Sequence, residues 1–325
     1  MTIVELAKDL GVSTATVSRA FTPDSRISDA SRQRVLKRAA DVGFHPNIHA
    51  RNMVRRSTDM IAFYYDAPRH MDADYYVAEL TFGIACEVAA TGRPFQIHTV
   101  PAGASPEQLA APICNSSAAG VIVNLYSEWA HALMQAAEQN RVPYIIIDNT
   151  RAPGARMLSL GAAIEKASRK AGAYFLRTGR RRPAFMHGIH DGRKLRGFRS
   201  GLGSLAASLQ EDPGGVNFQS AYAAADRLLS NPTPPDCLYC ANDVLAMGAI
   251  RAACDRGVSV PEDLAVIGCD DLHMAAYYTP ALTTIRLPKF DLGAEAARQV
   301  ISLIERGKPC PPHPLDCDLI LRESA

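Results

Sequence analysis

The first 44 residues place apolar side chains at helical spacing, and each apolar run is preceded by a residue able to cap a helix. Thr2 with Glu5 has the form of a capping box, and Ile3, Leu6, Ala7 and Leu10 then lie on one face, predicting a short first helix. Gly11 follows where a left-handed turn position suits a residue without Cβ. Ser13 is placed to cap a second helix over about 14–20, with Val12, Val17 and Ala20 inward and Thr14, Ala15, Thr16, Ser18 and Arg19 outward. Two helices joined by a tight glycine turn form either an ordinary helical hairpin or a helix-turn-helix, whose second helix enters the DNA major groove. A third helix after Ser28 carries Val35, Leu36, Ala39 and Ala40 on one side and stops at Gly43, with Phe44 available to the core and Pro46 blocking continuation. The next stretch, NIHARNMVRR at 47–56, mixes apolar Ile48, Ala50, Met53 and Val54 with Arg51, Arg55 and Arg56. It is too short to hold a helix alone and reads as a flexible linker or as a helix that forms only when paired.

From Met60 the period changes. Nearly continuous apolar runs at 60–66, 94–100, 120–125, 142–148, 182–188, 236–242 and 264–270 predict strands buried on both faces, as in parallel sheets. Helical stretches lie between them at 76–90, 128–140, 162–178, 194–209, 244–256 and 292–306. Repeated βα units argue for a doubly wound α/β fold, and the length suits two similar lobes. Asn124, Asp148, Asn242 with Asp243, and Asp270 with Asp271 stand at the carboxyl ends of predicted strands, where open α/β sheets bind ligands. Each taken alone also suits a helix cap.

Composition narrows the class. With 47% hydrophobic residues, no run of eighteen apolar residues and no charged leader before an apolar segment, the 325-residue chain reads as a soluble protein expected in the cytoplasm, with no membrane partner. The net charge of +2 is unevenly spread, since residues 1–56 hold ten Lys or Arg against five Asp or Glu. A basic N-terminal unit on a mildly acidic body fits a module that touches nucleic acid. Eight scattered cysteines suit reduced thiols better than a disulfide framework.

The chemical motifs are weak. GLGSLA at 201–206 matches a relaxed dinucleotide fingerprint but follows a helical stretch instead of a strand, so its amides are not placed to face a pyrophosphate. Cys237 with Cys240 and His187 with His190 lack a matched second pair for zinc. No hydrolase, zinc-protease or nucleotide-loop signature is present, so the sequence supports no catalytic residues, cofactor or metal.

Five blocks, VELAKDLGVSTATVSRAF, SRQRVLKRAADVGFHPNIHAR, CANDVLAMGAI, LAVIGCDDLHMAAYYTPALTTIR and the terminal LILRESA, together resemble the lactose-repressor (LacI/GalR) family of bacterial transcription regulators. The resemblance implies a helix-turn-helix domain over 1–46, a hinge helix and linker over 47–58, and a two-lobed effector and dimerisation domain over 59–325 like periplasmic binding proteins. Its lobes would take about 59–157 with 287–312, and about 158–286 with 313–325. It implies a homodimeric repressor on a near-palindromic operator, switched by a small polar metabolite between the lobes. The implied DNA-facing set is Ser13, Thr14, Ala15, Thr16, Ser18, Arg19, Asn47 and Met53, with Met53 where the family inserts a leucine into the minor groove. The implied effector set is Tyr75, Tyr76, Asp148, Lys194, Asn242 and Asp270, to which the strand-end reading adds Asn124. Lys194 replaces the family's cleft arginine, and an ammonium does not reproduce a planar fork, which weakens a sugar effector and leaves an anionic one open. No heptad tail supports a tetramer. Control by a protein co-regulator, or no effector response, is the alternative; a solute-binding protein and an α/β enzyme are the more distant rivals.

Overall fold

The chain separates into Met1–Asp59 and Met60–Ala325. The structure, a computed structural model, describes residues 1–21, 26–44, 59–66, 75–100, 105–115, 117–125, 129–148, 157–189 and 191–325. The hinge segment, with Asn47 and Met53, and His190 lie outside these residues.

In the first unit, α1 (Ile3–Leu10) opens on a reciprocal capping box: Glu5 N–H donates to Thr2 Oγ1 at 3.3 Å and Thr2 N–H to Glu5 Oε2 at 2.8 Å. Gly11 ends it at φ +64°, a conformation that costs a residue with Cβ. Ser13 then caps α2 (Thr14–Ala20), its Oγ accepting from Thr16 N–H at 3.1 Å, and Ser28 caps α3 (Asp29–Asp41) in the same way. Leu6, Leu10, Val17, Ala20, Val35, Ala39 and Phe44 close one small core. Leu36 and Ala40, expected inside, are exposed, because one apolar stripe through Val35 and Ala39 fills the space α1 and α2 leave, and the next position points a third of a turn away. Arginines add to the apolar contacts. Arg34 donates to Leu10 O and Arg32 to Ala20 O at 3.3 Å, so α3 sets cations on the carbonyl ends of α1 and α2, while Arg38 pairs with Asp9 at 2.6 Å.

The second unit holds two sheets. The first contains β1 (Ile61–Asp66), β2 (Phe95–Val100), β3 (Gly120–Asn124), β4 (Tyr144–Ile147) and β5 (Met157–Leu158) in the order β2-β1-β3-β4-β5, all parallel. Side chains alternate: Ile61 and Phe63 face one core, Ala62 and Tyr64 the other. Helices α4 (Tyr75–Ala90), α5 (Pro106–Cys114) and α6 (Trp129–Gln139) connect these strands. The chain then passes to α7 (Gly161–Arg177), β6 (Pro183–His187), α8 (Gly192–Leu202), β7 (Gln210–Pro213), α9 (Phe218–Leu229), β8 (Cys237–Cys240), α10 (Asp243–Asp255), β9 (Ala265–Asp270) and β10 (Thr283–Arg286). It returns through α11 (Lys289–Arg306), which packs on α4, and crosses again to β11 (Asp318–Ile320). The second sheet runs β11-β10-β9-β8-β6-β7, with only the β10–β11 pair antiparallel.

The helix expected over 194–209 is shorter: α8 ends at Leu202 and residues Gly203–Ser208 form a 3-10 turn after Gly203 takes φ +56°. Helices α5 and α9 and strands β5, β7, β10 and β11 were not legible as elements. The strands are two to four residues long, too short for their alternation to register.

Candidate functional sites

On α2, Thr14 and Ser18 are one helical turn apart, as are Ala15 and Arg19, and all four are exposed. Val17 and Ala20 occupy the opposite arc against the core. The result is a continuous outward stripe ending in a cation. Thr16 is half-buried, and its Oγ lies 2.9 Å from Ser13 Oγ, so this pair secures the helix start before it meets any partner.

In the second unit, both sheets change strand direction of travel beside β1 and β6, the crevice positions where ligands bind in such folds. The predicted residues fall into two groups there. In the first, Asn124 is buried and donates to Ile147 O at 3.2 Å. The adjacent Asp148 takes φ +49°, accepts from Leu160 N–H at 2.9 Å and accepts from Tyr76 O–H at 3.3 Å. Burial pushes its carboxyl upward in pKa, partly offset by hydrogen bonds from Ser159, Leu160 and Tyr76 and by the charge of Arg193. Tyr75 joins neither group; it is half exposed and makes no hydrogen bond among the described residues.

The second group surrounds Asp270. Lys194 donates to Ala241 O at 2.5 Å. Burial works against its charge, and Cys269, Asp270 and Asp191 more than offset that, holding its pKa above the ordinary lysine value. Asp270 takes φ +135°, and its carboxylate has no hydrogen-bond donor among the described residues. Burial raises its pKa against the pull of Lys194 and Lys289. An acceptor left open beside a fixed ammonium is suited to a ligand that brings hydroxyl or amine donors. Asn242 lies beside them, but its Oδ1 already caps α10 by accepting from Leu245 N–H at 2.8 Å, leaving its amide nitrogen for a ligand.

The two aspartates grouped with these have structural partners. Asp243 is fully buried and accepts from Leu272 N–H at 2.7 Å and Thr284 Oγ1 at 2.5 Å, while burial and the Asp270 charge raise its pKa to about 7. Asp271 is held by Arg286 and Arg322, each at 2.7 Å. Sequence reading missed Lys289 and Glu79. Lys289 is buried and joins Glu79 Oε1 at 2.9 Å and Asp270 O at 2.8 Å, so α11 and α4, beside the first sheet, reach a strand end of the second. A lysine in the first turn of a helix opposes the macrodipole, and that anomaly was the available signal. Cys237 and Cys240 lie buried within β8, and no group of three metal-ligating side chains is placed to hold an ion among the described residues. Nor is any described helix long and apolar enough to cross a membrane.

A three-helix unit with an exposed recognition stripe, joined to a two-sheet ligand-binding fold, defines a DNA-binding transcription regulator. Known proteins agree. The family described as bacterial regulatory proteins, lacI family, matches residues 2–47, and the periplasmic binding protein-like domain matches residues 173–325. The repressor CytR of Escherichia coli K12 is 28% identical over 99% of this chain and 96% of its own length. Two solved structures share the fold: a regulator CelR–cellobiose complex (25% identity, TM-score 0.73, 100% of both chains) and a Lac repressor dimer bound to operator and the anti-inducer ONPF (21% identity, TM-score 0.82, 100% of this chain and 98% of that one). Over nearly its full length the chain is thus similar to transcription regulators of the lacI family.

Proposed function

We propose that this regulator is a repressor that binds a near-palindromic operator as a homodimer and is switched by a small polar metabolite held between its two sheets. The open Asp270 carboxylate beside the Lys194 ammonium carries the metabolite part of this reading. Asp148, Asn124, Tyr76 and the Asn242 amide complete a set suited to a ligand rich in hydroxyl groups, and the related CelR was solved with cellobiose. The α2 stripe supports major-groove reading: Arg19 offers a guanidinium for a guanine edge or a phosphate, and Ala15 an apolar contact to a thymine methyl. Asn47 and Met53 join the DNA-facing set by resemblance alone. Exposed Met274, Tyr277 and Phe218 give apolar surface of the kind a second copy covers. Effector binding acts by favouring one arrangement of the lobes, and only a difference in affinity between two arrangements shifts their balance.

The test has two stages. Selection from a random duplex library at fixed salt is expected to return an inverted repeat. A metabolite screen against that operator is then expected to find a compound that changes affinity in the native protein and not in Asp270→Ala. A retained response in Asp270→Ala would move the ligand elsewhere.

A further inference from the structure

A groove of about 360 Å³ runs between α7 and α8, away from the Asp270 cluster. Its origin is backbone packing. Gly197 meets Glu165 O and Gly201 meets Arg169 O, positions where a Cβ has no room, so the two helices run parallel at close range and their flanking side chains diverge. The walls carry Lys166 and Arg169 from α7 and Arg193 from α8, with Ser200 and Glu165.

These cations differ from their neighbours. Arg196 pairs with Glu165 at 3.1 Å, Lys170 with Asp318 at 3.7 Å and Arg199 with Glu211, whereas Lys166, Arg169 and Arg193 make no ion pair or hydrogen bond among the described residues. With Glu165 neutralised by Arg196, the groove keeps a positive balance from Lys166, Arg169 and Arg193, of which only Arg193 also acts on a buried carboxylate, Asp148, and both helices present their N-terminal ends toward the Ala162–Arg193 end of it. A volume of this size is at the small-ligand end of binding cavities, ~300–1,000 Å³.

We propose that this groove is a second binding site, for a compact polyanion such as a phosphate monoester or a small polycarboxylate. Arg193 connects it to the first site. Its guanidinium lies on Gly161, next to Leu160, whose N–H holds Asp148 Oδ1 at 2.9 Å, and its charge helps keep Asp148 ionised. An anion on Arg193 withdraws that support, so the two sites communicate through one side chain.

Calorimetric titration of the full-length protein at fixed low salt tests this, with glycerol 3-phosphate, citrate and, as the uncharged control, glycerol. Saturable binding of glycerol 3-phosphate or citrate, but not glycerol, is expected, and the anion that binds identifies the source. Arg169→Ala should weaken it by about tenfold or more, the equivalent of one charge-assisted hydrogen bond. Arg177→Ala, on the same helix outside the groove, should leave it unchanged. Absence of saturable binding by either anion, or equal binding by native protein and Arg169→Ala with native-like melting, would overturn the proposal.

Discussion

Lys289 offers the sharpest quantitative test of how the two sheets are held to one another. Its ammonium is 1% exposed and bonds to Glu79 Oε1 and Asp270 O, whereas the Glu79 side chain is 46% exposed. Lys289→Met keeps most of the aliphatic stem and removes the charge. Severing a fully buried pair costs about 3–5 kcal/mol, but Glu79 recovers solvation when released, which argues for the lower figure of a single charged hydrogen bond, about 1.5–3 kcal/mol. Asp270 O is then left without this donor. For a unit of this size about 2 kcal/mol corresponds to a fall in Tm of about 4–8 °C. Trp129, the chain's single tryptophan, lies on α6 beside the first sheet, so fluorescence melting follows the second unit without interference from the first. Glu79→Gln, which keeps an acceptor, should lower the Tm by less than half as much. A Lys289→Met protein that melts within a degree of native would refute the strut and leave the buried ammonium without a stabilising role.

Other expectations follow from the same contacts. Arg19→Ala should weaken operator binding by about 1–3 kcal/mol if the guanidinium reads a base, measured against a duplex altered at one position at a time; loss spread evenly over all sequences would make it a phosphate contact. Asp243, near 7 in the folded protein against ~3.9 when unfolded, makes the folded state bind more protons between those values. Stability should therefore fall as pH rises through that window, by at most ~1.4 kcal/mol per pH unit, and level off above it. Asp243→Asn should flatten the slope measured in urea, and an unchanged slope would assign it to Asp148 and Asp270, whose pKa values are raised too. Gly197→Ala should cost about 1–3 kcal/mol because its methyl meets the Glu165 backbone, which has little freedom to move; a neutral effect would mean the helices separate easily.

The helix-turn-helix was legible almost residue by residue because each boundary is local chemistry. Thr2, Gly11, Ser13 and Ser28 act within three or four positions of themselves. The central buried strands were legible for a similar reason, since β4 and β8 are uninterrupted apolar runs and β3 is one up to Asn124. What escaped depends on distance along the chain. Asp243 is separated from Thr284 by 41 residues and Asp271 from Arg322 by 51, so no local pattern distinguishes these structural carboxylates from the open one at Asp270. The same holds for the arginines of α3: a basic count suggested contact with nucleic acid, yet Arg32, Arg34 and Arg38 are spent on the ends of the neighbouring helices and on Asp9.

The polar side chains of the crevice sit at or just beyond the last residue of a strand, while the residues immediately before them are core: Ile147 before Asp148, Cys269 before Asp270, and Ala241 before Asn242. On the proposed function, holding the sheet together and choosing a ligand are thus assigned to adjacent positions with little overlap. A lineage can change one of these end residues, as an arginine exchanged for Lys194 would on the neighbouring helix, and test a new compound without first surviving a damaged core. Asp243 marks the limit of that freedom, because its bonds to Leu272 and Thr284 fasten the frame itself.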